Sequence, residues 1–330
     1  MFPELKCIRG RPAINLTIIT EASIVLTSTG MKKLNRRFEL ITKPAHVIDR
    51  RQFLHSTFIA TTLASTGQLP LLLSKADNDS GIDSLSEPYS TKPVRNYLKD
   101  FSLTEMPLRK YQEYRLIYNI ISWNIDVKTN EITNSIIGKL TFKRNVINSR
   151  PVYEVNQMLY FGETRNSTKA YITCYVDEWN SLDNWKLSAF QIGSRGQSFR
   201  LTELTETGKC EKGRIQIDSN GFQYNFNPRN PVMAQWTIPD YLLRKAHPGL
   251  NATFDLLQDL TSFKKDQSLI YDTETLLDIK GEKTIKLSTY VLTGQGSIPT
   301  HYLSDSRGLV QLVTSGILSW ALSDATAHLE

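Results

Sequence analysis

Histidine, the side chain most often used in catalysis and metal binding, is sparse in this chain of 330 residues. After residue 76 the sequence contains His247, His301 and His328, and no two of them are close in sequence. Zinc and copper sites need clustered His, Cys, Asp or Glu ligands. The two cysteines of the same region, Cys174 and Cys210, form no C-x-x-C pair. We therefore predict no metal site.

Sequence signatures of common enzyme classes are also missing. The serine-hydrolase elbow G-x-S-x-G is absent, because the glycines of Gly193-Ser194-Arg195-Gly196 have the wrong spacing. The dinucleotide and phosphate loops G-x-G-x-x-G and G-x-x-x-x-G-K-[ST] are absent too, since no third glycine follows Gly294 and Gly296. We predict no catalytic residue and no cofactor, and we favour a protein that is not an enzyme.

Aromatic residues are the main remaining candidates for ligand contact. The most carbohydrate-like cluster is Asp177-Glu178-Trp179 with Trp185 nearby, although a solvated turn explains it better. Most aromatic side chains are expected to pack in a sheet, while some could line a groove for an apolar or sugar ligand. The candidate groove residues are Tyr118, Trp123, Tyr160, Trp179, Trp185, His301 and Tyr302.

Alternating apolar and polar residues predict many short strands after residue 110. The predicted strands are 111–121, 136–147, 152–161, 170–176, 186–192, 199–204, 213–217, 222–226, 269–272, 275–279, 284–292, 299–303, 309–313 and 317–321. Ser219-Asn220-Gly221 predicts a tight hairpin turn, because Asn-Gly readily adopts positive φ angles. The alternation breaks at 236–262, where a helix at 239–245 and a second at 251–260 are predicted.

This pattern predicts a mainly β fold, either an antiparallel curled sheet or half-barrel or a β-sandwich, with one or two short helices around 238–260. We divide the chain into an N-terminal extension and leader at 1–76, a polar linker at 77–108 and a single antiparallel β domain at 109–323. A tail at 324–330 follows. The linker is rich in Asp, Asn, Ser, Gly and Pro, so little packing of its own is expected there.

The leader carries Asp49-Arg50-Arg51-Gln52-Phe53-Leu54, followed by a mildly apolar run. Ser74-Lys75-Ala76 then places small residues where a signal peptidase needs them. The segment resembles a twin-arginine (Tat) signal peptide, in which Arg50, Arg51, Phe53 and Leu54 are the export signal and Ser74 and Ala76 the cleavage site. The resemblance implies contact with the Tat translocase and signal peptidase, and a periplasmic or extracellular location.

The net positive charge of the chain comes from this leader. The whole chain has 39 Lys and Arg against 33 Asp and Glu. Residues 1–76 contain 11 basic and 4 acidic residues, so the remainder has 28 against 29 and a net charge of −1. A near-neutral domain has no bulk electrostatic attraction for nucleic acid. No apolar stretch is long enough for a transmembrane helix, so we predict neither a nucleic-acid partner nor a spanning segment after cleavage.

The C-terminal part also carries a resemblance. Residues 293–303, which contain Gly294, Gly296 and Pro299, are followed by Asp305-Ser306-Arg307-Gly308-Leu309. These residues resemble the closing hairpin of several exported bacterial domains of unknown function, in which an antiparallel sheet curls around an apolar groove, similar to lipoprotein-carrier folds. The resemblance implies an apolar or lipid-like ligand and supplies no catalytic residue.

Three functions remain open on the sequence. We favour a non-catalytic binding or carrier-like protein with an apolar groove. The alternatives are an exported enzyme or accessory subunit of one, and an envelope assembly protein that binds a partner by a sheet edge. A deep apolar cavity would favour the first, and a filled core with an open edge the third. A cluster of His247 and His301 with two carboxylates would favour the second. Whether Cys174 and Cys210 form a disulfide is also open.

Overall fold

The structure, a computed structural model, describes residues 90–106, 113–125, 129, 131–193, 196–199, 203–277, 284–316 and 318–327. The predicted export signal (Arg50, Arg51, Phe53 and Leu54) and cleavage site (Ser74 and Ala76) lie outside these residues. Within the described part of the chain, no helix has the length and apolar character needed to cross a membrane.

The described residues form one sheet of fifteen strands, in the order β8-β7-β6-β5-β4-β3-β2-β1-β15-β14-β13-β12-β11-β10-β9. The first half contains β1 (Tyr114–Ile125), β2 (Ile132–Ile147), β3 (Arg150–Phe161), β4 (Thr164–Cys174), β5 (Leu182–Ile192), β6 (Leu204–Glu211), β7 (Arg214–Ser219) and β8 (Phe222–Phe226). The second half contains β9 (Val232–Ala234), β10 (Asn251–Gln258), β11 (Ser262–Leu277), β12 (Ile285–Thr293), β13 (Thr300–Ser304), β14 (Val310–Thr314) and β15 (Leu318–Ala327).

The connection from β8 to β9 forces this sheet to curl. A flat sheet of this size would be about 67 Å wide, since neighbouring strands lie about 4.8 Å apart. Residues 227–231 alone join β8 and β9, the two outermost strands, and so short a connection spans at most roughly 20 Å. The two edges must therefore come close together. The predicted mainly β fold is confirmed as a curled, unclosed sheet rather than a sandwich.

Local predictions succeeded where short-range chemistry decides the conformation. Asn220 and Gly221 both have positive φ, at 50° and 85°, and join β7 to β8 in a tight hairpin. The segment 251–260 is the main correction, because we predicted a helix and it contains β10, which pairs with β9 on one side and β11 on the other. The strand predicted at 269–272 and the described part of the one predicted at 275–279, up to Leu277, belong to the single strand β11.

Two short helices accompany the sheet: α1 (Arg95–Leu98) and α2 (Ile238–Lys245). Helix α2 follows a 3-10 turn at Gln235–Thr237 and begins with Pro239 near its first position, where proline is well tolerated. Its side chains belong to the same buried cluster as the inner faces of both sheet halves. The helix therefore lies inside the curl and fills one part of it.

The N-terminal segment 90–106 packs on the outer face of the sheet, where helix α1 contacts β2 of the first half as well as strands of the second half. Val94, Leu98 and Phe101 are buried there against Leu303 and Leu312. Gln311 fixes the segment further, because its amide accepts a hydrogen bond from the Thr104 backbone N–H (3.1 Å) and donates one to the Thr104 carbonyl (3.0 Å). The described part of the predicted linker thus has packing of its own, and β15 extends to Ala327, into the predicted tail.

Asp255 holds the connection that brings the two edges together. Its buried carboxylate accepts hydrogen bonds from the backbone N–H groups of Arg229 (2.8 Å), Asn230 (3.3 Å) and Asp266 (2.8 Å). The Asn230 side-chain amide donates another, at 3.0 Å. Burial alone would raise the pKa of the Asp255 carboxyl, but these hydrogen bonds outweigh it and lower the pKa.

We expect Asp255→Asn to lower the free energy of unfolding by about 2–3 kcal/mol at pH 7, because the amide nitrogen cannot accept hydrogen bonds. Because the carboxyl pKa is lower in the folded than in the unfolded chain, the ionised carboxylate stabilises the fold. This stabilisation is fully present above the unfolded pKa of about 3.9 and is lost as the pH falls through the folded pKa. The difference between wild type and variant should therefore shrink below about pH 4. Urea unfolding at pH 7 and pH 3.5 measures it, and a difference independent of pH would contradict this role for the carboxylate.

Candidate ligand-binding cavity

A cavity of about 530 Å³ lies between the two halves of the curled sheet. Its walls come from β3 to β6 on one side, and from β10 to β15 with the 3-10 turn at Gln235–Thr237 on the other. Residues of the turns β10–β11, β12–β13 and β14–β15 also line it. In an antiparallel meander, alternate turns lie at the same end of the sheet. The cavity therefore lies towards this end, and Asp240 of helix α2 packs against Tyr114 and Tyr153 near the opposite end of their strands.

The wall formed by the second half combines a set of apolar and aromatic side chains with polar residues such as Gln258, Thr261 and Thr300. Trp236 and Trp320 are both nearly completely buried and line the cavity. The aliphatic and other aromatic side chains of this wall are Leu256, Leu292, Ile298, Tyr302, Val313 and Leu318. Such a wall stabilises a ligand by removing apolar surface from water, at about 25 cal/mol per Å².

The wall formed by the first half combines leucines with a patch of uncharged polar side chains. We call Gln157, Asn166, Thr168 and Gln191 the carboxamide patch. Gln157 lies opposite Thr168 in the pairing of β3 with β4, and Asn166 lies opposite Gln191 in the pairing of β4 with β5. All four line the cavity. The patch therefore presents hydrogen-bonding groups from three adjacent strands.

No family model, no curated protein sequence and no solved structure matches this chain. The chemistry of the cavity therefore has to be inferred from its own residues.

Charge is scarce in this cavity. Of the described residues that line it, only Asp259 and Lys264 carry a charge, and the two are opposite in sign. Both are in or beside the β10–β11 turn. Burial lowers the pKa of the Lys264 ammonium, and the Asp259 carboxylate opposes this shift. The cavity thus provides no net charge from its described lining.

Three lining residues carry buried polar atoms that make no hydrogen bond within the described part of the chain. These atoms are Gln235 Oε1, Trp236 Nε1 and the Tyr302 hydroxyl. Burial raises the pKa of the Tyr302 hydroxyl, which therefore stays protonated. A buried polar group without a partner costs about 1–3 kcal/mol. These three atoms are covered by the surrounding side chains, so a molecule in the cavity does not reach them as the structure stands.

Helix α2 is held in place by a buried cluster centred on Asp240. The Asp240 carboxylate accepts hydrogen bonds from the hydroxyls of Tyr114 (2.6 Å) and Tyr153 (2.8 Å) and from Arg244 Nε (2.8 Å). Arg144 Nε forms an ion pair with it at 3.1 Å, and both side chains are almost fully buried. Because Trp236 and Gln235 directly precede the helix, this cluster also positions one wall of the cavity.

The candidate groove residues separate in the structure. Tyr302 lines the cavity. Tyr118 lies beside it in the core, donates a hydrogen bond to the Val310 carbonyl (3.1 Å) and packs near Trp320. Trp185 is buried in the main core, where its ring occupies the space that a side chain at Gly208 would need.

The other candidates lie away from the cavity. The ring of Trp179 stacks on Tyr241 of helix α2 at 5.3 Å. Tyr160 is exposed beneath the Arg165 guanidinium, and Trp123 is partly exposed near the end of β1. His301 is half-buried in β13, and burial lowers its pKa while Asp272 opposes that shift. The candidate groove residues therefore do not form one site.

The candidate chemistry at cysteines and histidines does not converge either. Cys174 and Cys210 are free thiols on β4 and β6, and β5 lies between these strands. Strands two positions apart are about 9.6 Å apart, beyond the roughly 7 Å that a disulfide allows between Cα atoms. Within the described ranges no three His, Cys, Asp or Glu residues are close enough together to hold a metal ion.

The sequence interpretation missed most of the residues that line the cavity. Gln157, Asn166 and Gln191 are polar residues at alternating positions of predicted or extended strands, a pattern that equally fits a solvent-facing surface. Trp236 falls in the segment where the strand pattern breaks. The available signal was an uncharged polar side chain on the face that otherwise carries buried Val155 and Leu159.

Proposed function

We propose that the β domain is a non-catalytic binding or carrier-like protein that takes up one small, largely apolar molecule in its cavity. The cavity between the sheet halves is the observation that carries this proposal. Its volume of about 530 Å³ lies in the range of about 300–1,000 Å³ typical of small-molecule sites, which are mostly apolar with a few placed polar groups.

The alternatives receive less support. An enzyme of the kind considered from sequence needs His247 and His301 near carboxylates, yet His247 is exposed and its Nδ1 contacts the Pro248 carbonyl at 2.9 Å. His301 is on β13 next to Tyr302, so its side chain points to the opposite face of the sheet. An assembly protein would have a filled core, whereas here a cavity of about 530 Å³ remains between the sheet halves.

We also propose that the leader exports this domain through the Tat route to the periplasmic or extracellular side. The order of the twin arginines, the Phe-Leu pair, the mild apolar run and the small residues at the predicted cleavage site supports this part of the proposal. A domain that folds around its ligand before export would use a route for folded proteins.

The cavity proposal is tested by filling the cavity. In Ala189→Trp and, separately, Thr168→Trp, the indole should occupy the space between the walls and lower the affinity for N-phenyl-1-naphthylamine at least tenfold. Ser188→Trp is the matched control, because Ser188 is the neighbour of Ala189 on β5 and its side chain points to the opposite face. Fluorescence titration gives Kd, and thermal unfolding reports whether each variant is folded.

Native mass spectrometry of protein purified without detergent gives a second readout. We expect a noncovalent adduct of small-molecule mass on the wild type and on Ser188→Trp, and its loss from both cavity variants. Equal probe affinity in folded wild type and cavity variants would overturn the proposal, as would a wild type that binds neither probe nor adduct.

A further inference from the structure

We infer that the molecule bound in the cavity is an uncharged amphiphile. Its apolar body lies against the apolar and aromatic side chains of the second sheet half, among them Trp236 and Trp320, and its oxygen-bearing groups lie on the carboxamide patch. This inference rests on the proposed binding function and names the class of ligand.

The charge balance of the lining argues against an ion. Asp259 and Lys264 are the only charged side chains among the described lining residues. They carry opposite charges, and the Asp259 carboxylate interacts favourably with the Lys264 ammonium. A ligand carboxylate or ammonium would leave water without a counter-charge of its own, and burying an unpaired charge is far more costly than burying a hydroxyl or ester that finds a partner. An uncharged ligand avoids this cost.

The carboxamide patch argues against a plain hydrocarbon. Gln157 of β3 and Asn166 and Thr168 of β4 line the cavity. Their side chains make no hydrogen bond to any described residue. A hydrocarbon packed against them would remove their contact with water and give nothing in return. Carboxamides both donate and accept hydrogen bonds, so hydroxyl, ester, ether or carbonyl oxygens suit them.

The opposite wall fits the apolar side of the same molecule. Trp236 and Trp320 offer aromatic surface, and Leu256 and Leu292 add aliphatic surface.

Three probes of equal chain length distinguish the charge classes: decanoate, decylamine and the glyceryl monoester of decanoic acid. Each competes with N-phenyl-1-naphthylamine for delipidated protein at pH 7, below the concentration at which micelles form. We expect the glyceryl monoester to displace the dye at a concentration at least tenfold lower than either ion. If decanoate or decylamine competes as well as the monoester, the inference is overturned while dye binding still supports the binding function.

A matched pair of variants tests the patch. Gln157→Leu and Asn166→Leu should each weaken binding of the glyceryl monoester about fivefold to thirtyfold, the loss expected for one or two hydrogen bonds. Asn156→Leu is the control, because this exposed amide is on the outer face of β3, next to Gln157. Unchanged monoester affinity in both patch variants would overturn the inference, and loss of dye binding in wild type would instead refute the binding function.

Discussion

Replacing Asp240 with alanine is expected to lower the free energy of unfolding by about 3–5 kcal/mol, enough to unfold many domains of this size. The carboxylate is 1% exposed and faces two guanidinium groups, those of Arg144 and Arg244. Its removal leaves two buried positive charges without their counter-charge, and it leaves the hydroxyls of Tyr114 and Tyr153 without their acceptor.

Chemical denaturation of the β domain measures this effect, and Glu178→Ala provides the control. Glu178 pairs with Lys245, also of helix α2, at 3.1 Å, but this pair is largely exposed. Surface ion pairs contribute about 0–1 kcal/mol, so the control should change stability by less than about 1 kcal/mol. A similar small loss in Asp240→Ala would show that the cluster does not hold helix α2.

A triple variant separates charge from packing. In Asp240→Leu, Arg144→Met, Arg244→Met all three buried charges are removed together, and apolar replacement of buried ion-pair clusters is often neutral or stabilising. We expect this variant to recover most of the stability lost in Asp240→Ala. Recovery would locate the loss in uncompensated charge, whereas continued instability would locate it in the geometry of the cluster. Dye binding by the recovered variant would then report whether Trp236 keeps its position.

The strands were largely predictable because their signals are local. Alternation along β1 and the Asn220-Gly221 turn each depend on a few neighbouring residues. Strand β10 was not predictable in this way. Its four residues from Phe254 to Leu257 are all buried, and all of them except Asp255 are apolar. Such a run fits a helix or a buried strand equally well, and pairing with β9 and β11 decides between them.

The cavity depends on contacts that are distant in sequence. Gln157 and Trp236 line the same space only because the sheet curls and the 227–231 connection joins its edges. The same applies to Asp240, which reads from sequence as an ordinary acidic residue in the first turn of a helix and in fact meets residues of β1, β2 and β3. Residues that act in the core of a curled sheet have no spacing in sequence that reveals them.

Loss of the twin arginines is expected to abolish export of the chain almost completely. Arg50→Lys, Arg51→Lys keeps both positive charges but removes the guanidinium pair, and lysine does not replace arginine where geometry is read. A Tat-competent bacterium that expresses the full chain should then accumulate uncut precursor inside the cell, whereas the wild type should appear in the periplasm with residue 77 as its N-terminus. Replacing Arg36 and Arg37 by lysine is the matched control, because this second pair is followed by Phe38-Glu39-Leu40 and therefore lacks the spacing of Arg50-Arg51-Gln52-Phe53-Leu54. Export of the Arg50, Arg51 variant at the wild-type level would exclude the Tat route.

The Asp240→Ala chain adds an independent check with an intact leader. If this substitution prevents the domain from folding, a route that carries only folded proteins should leave the precursor inside the cell.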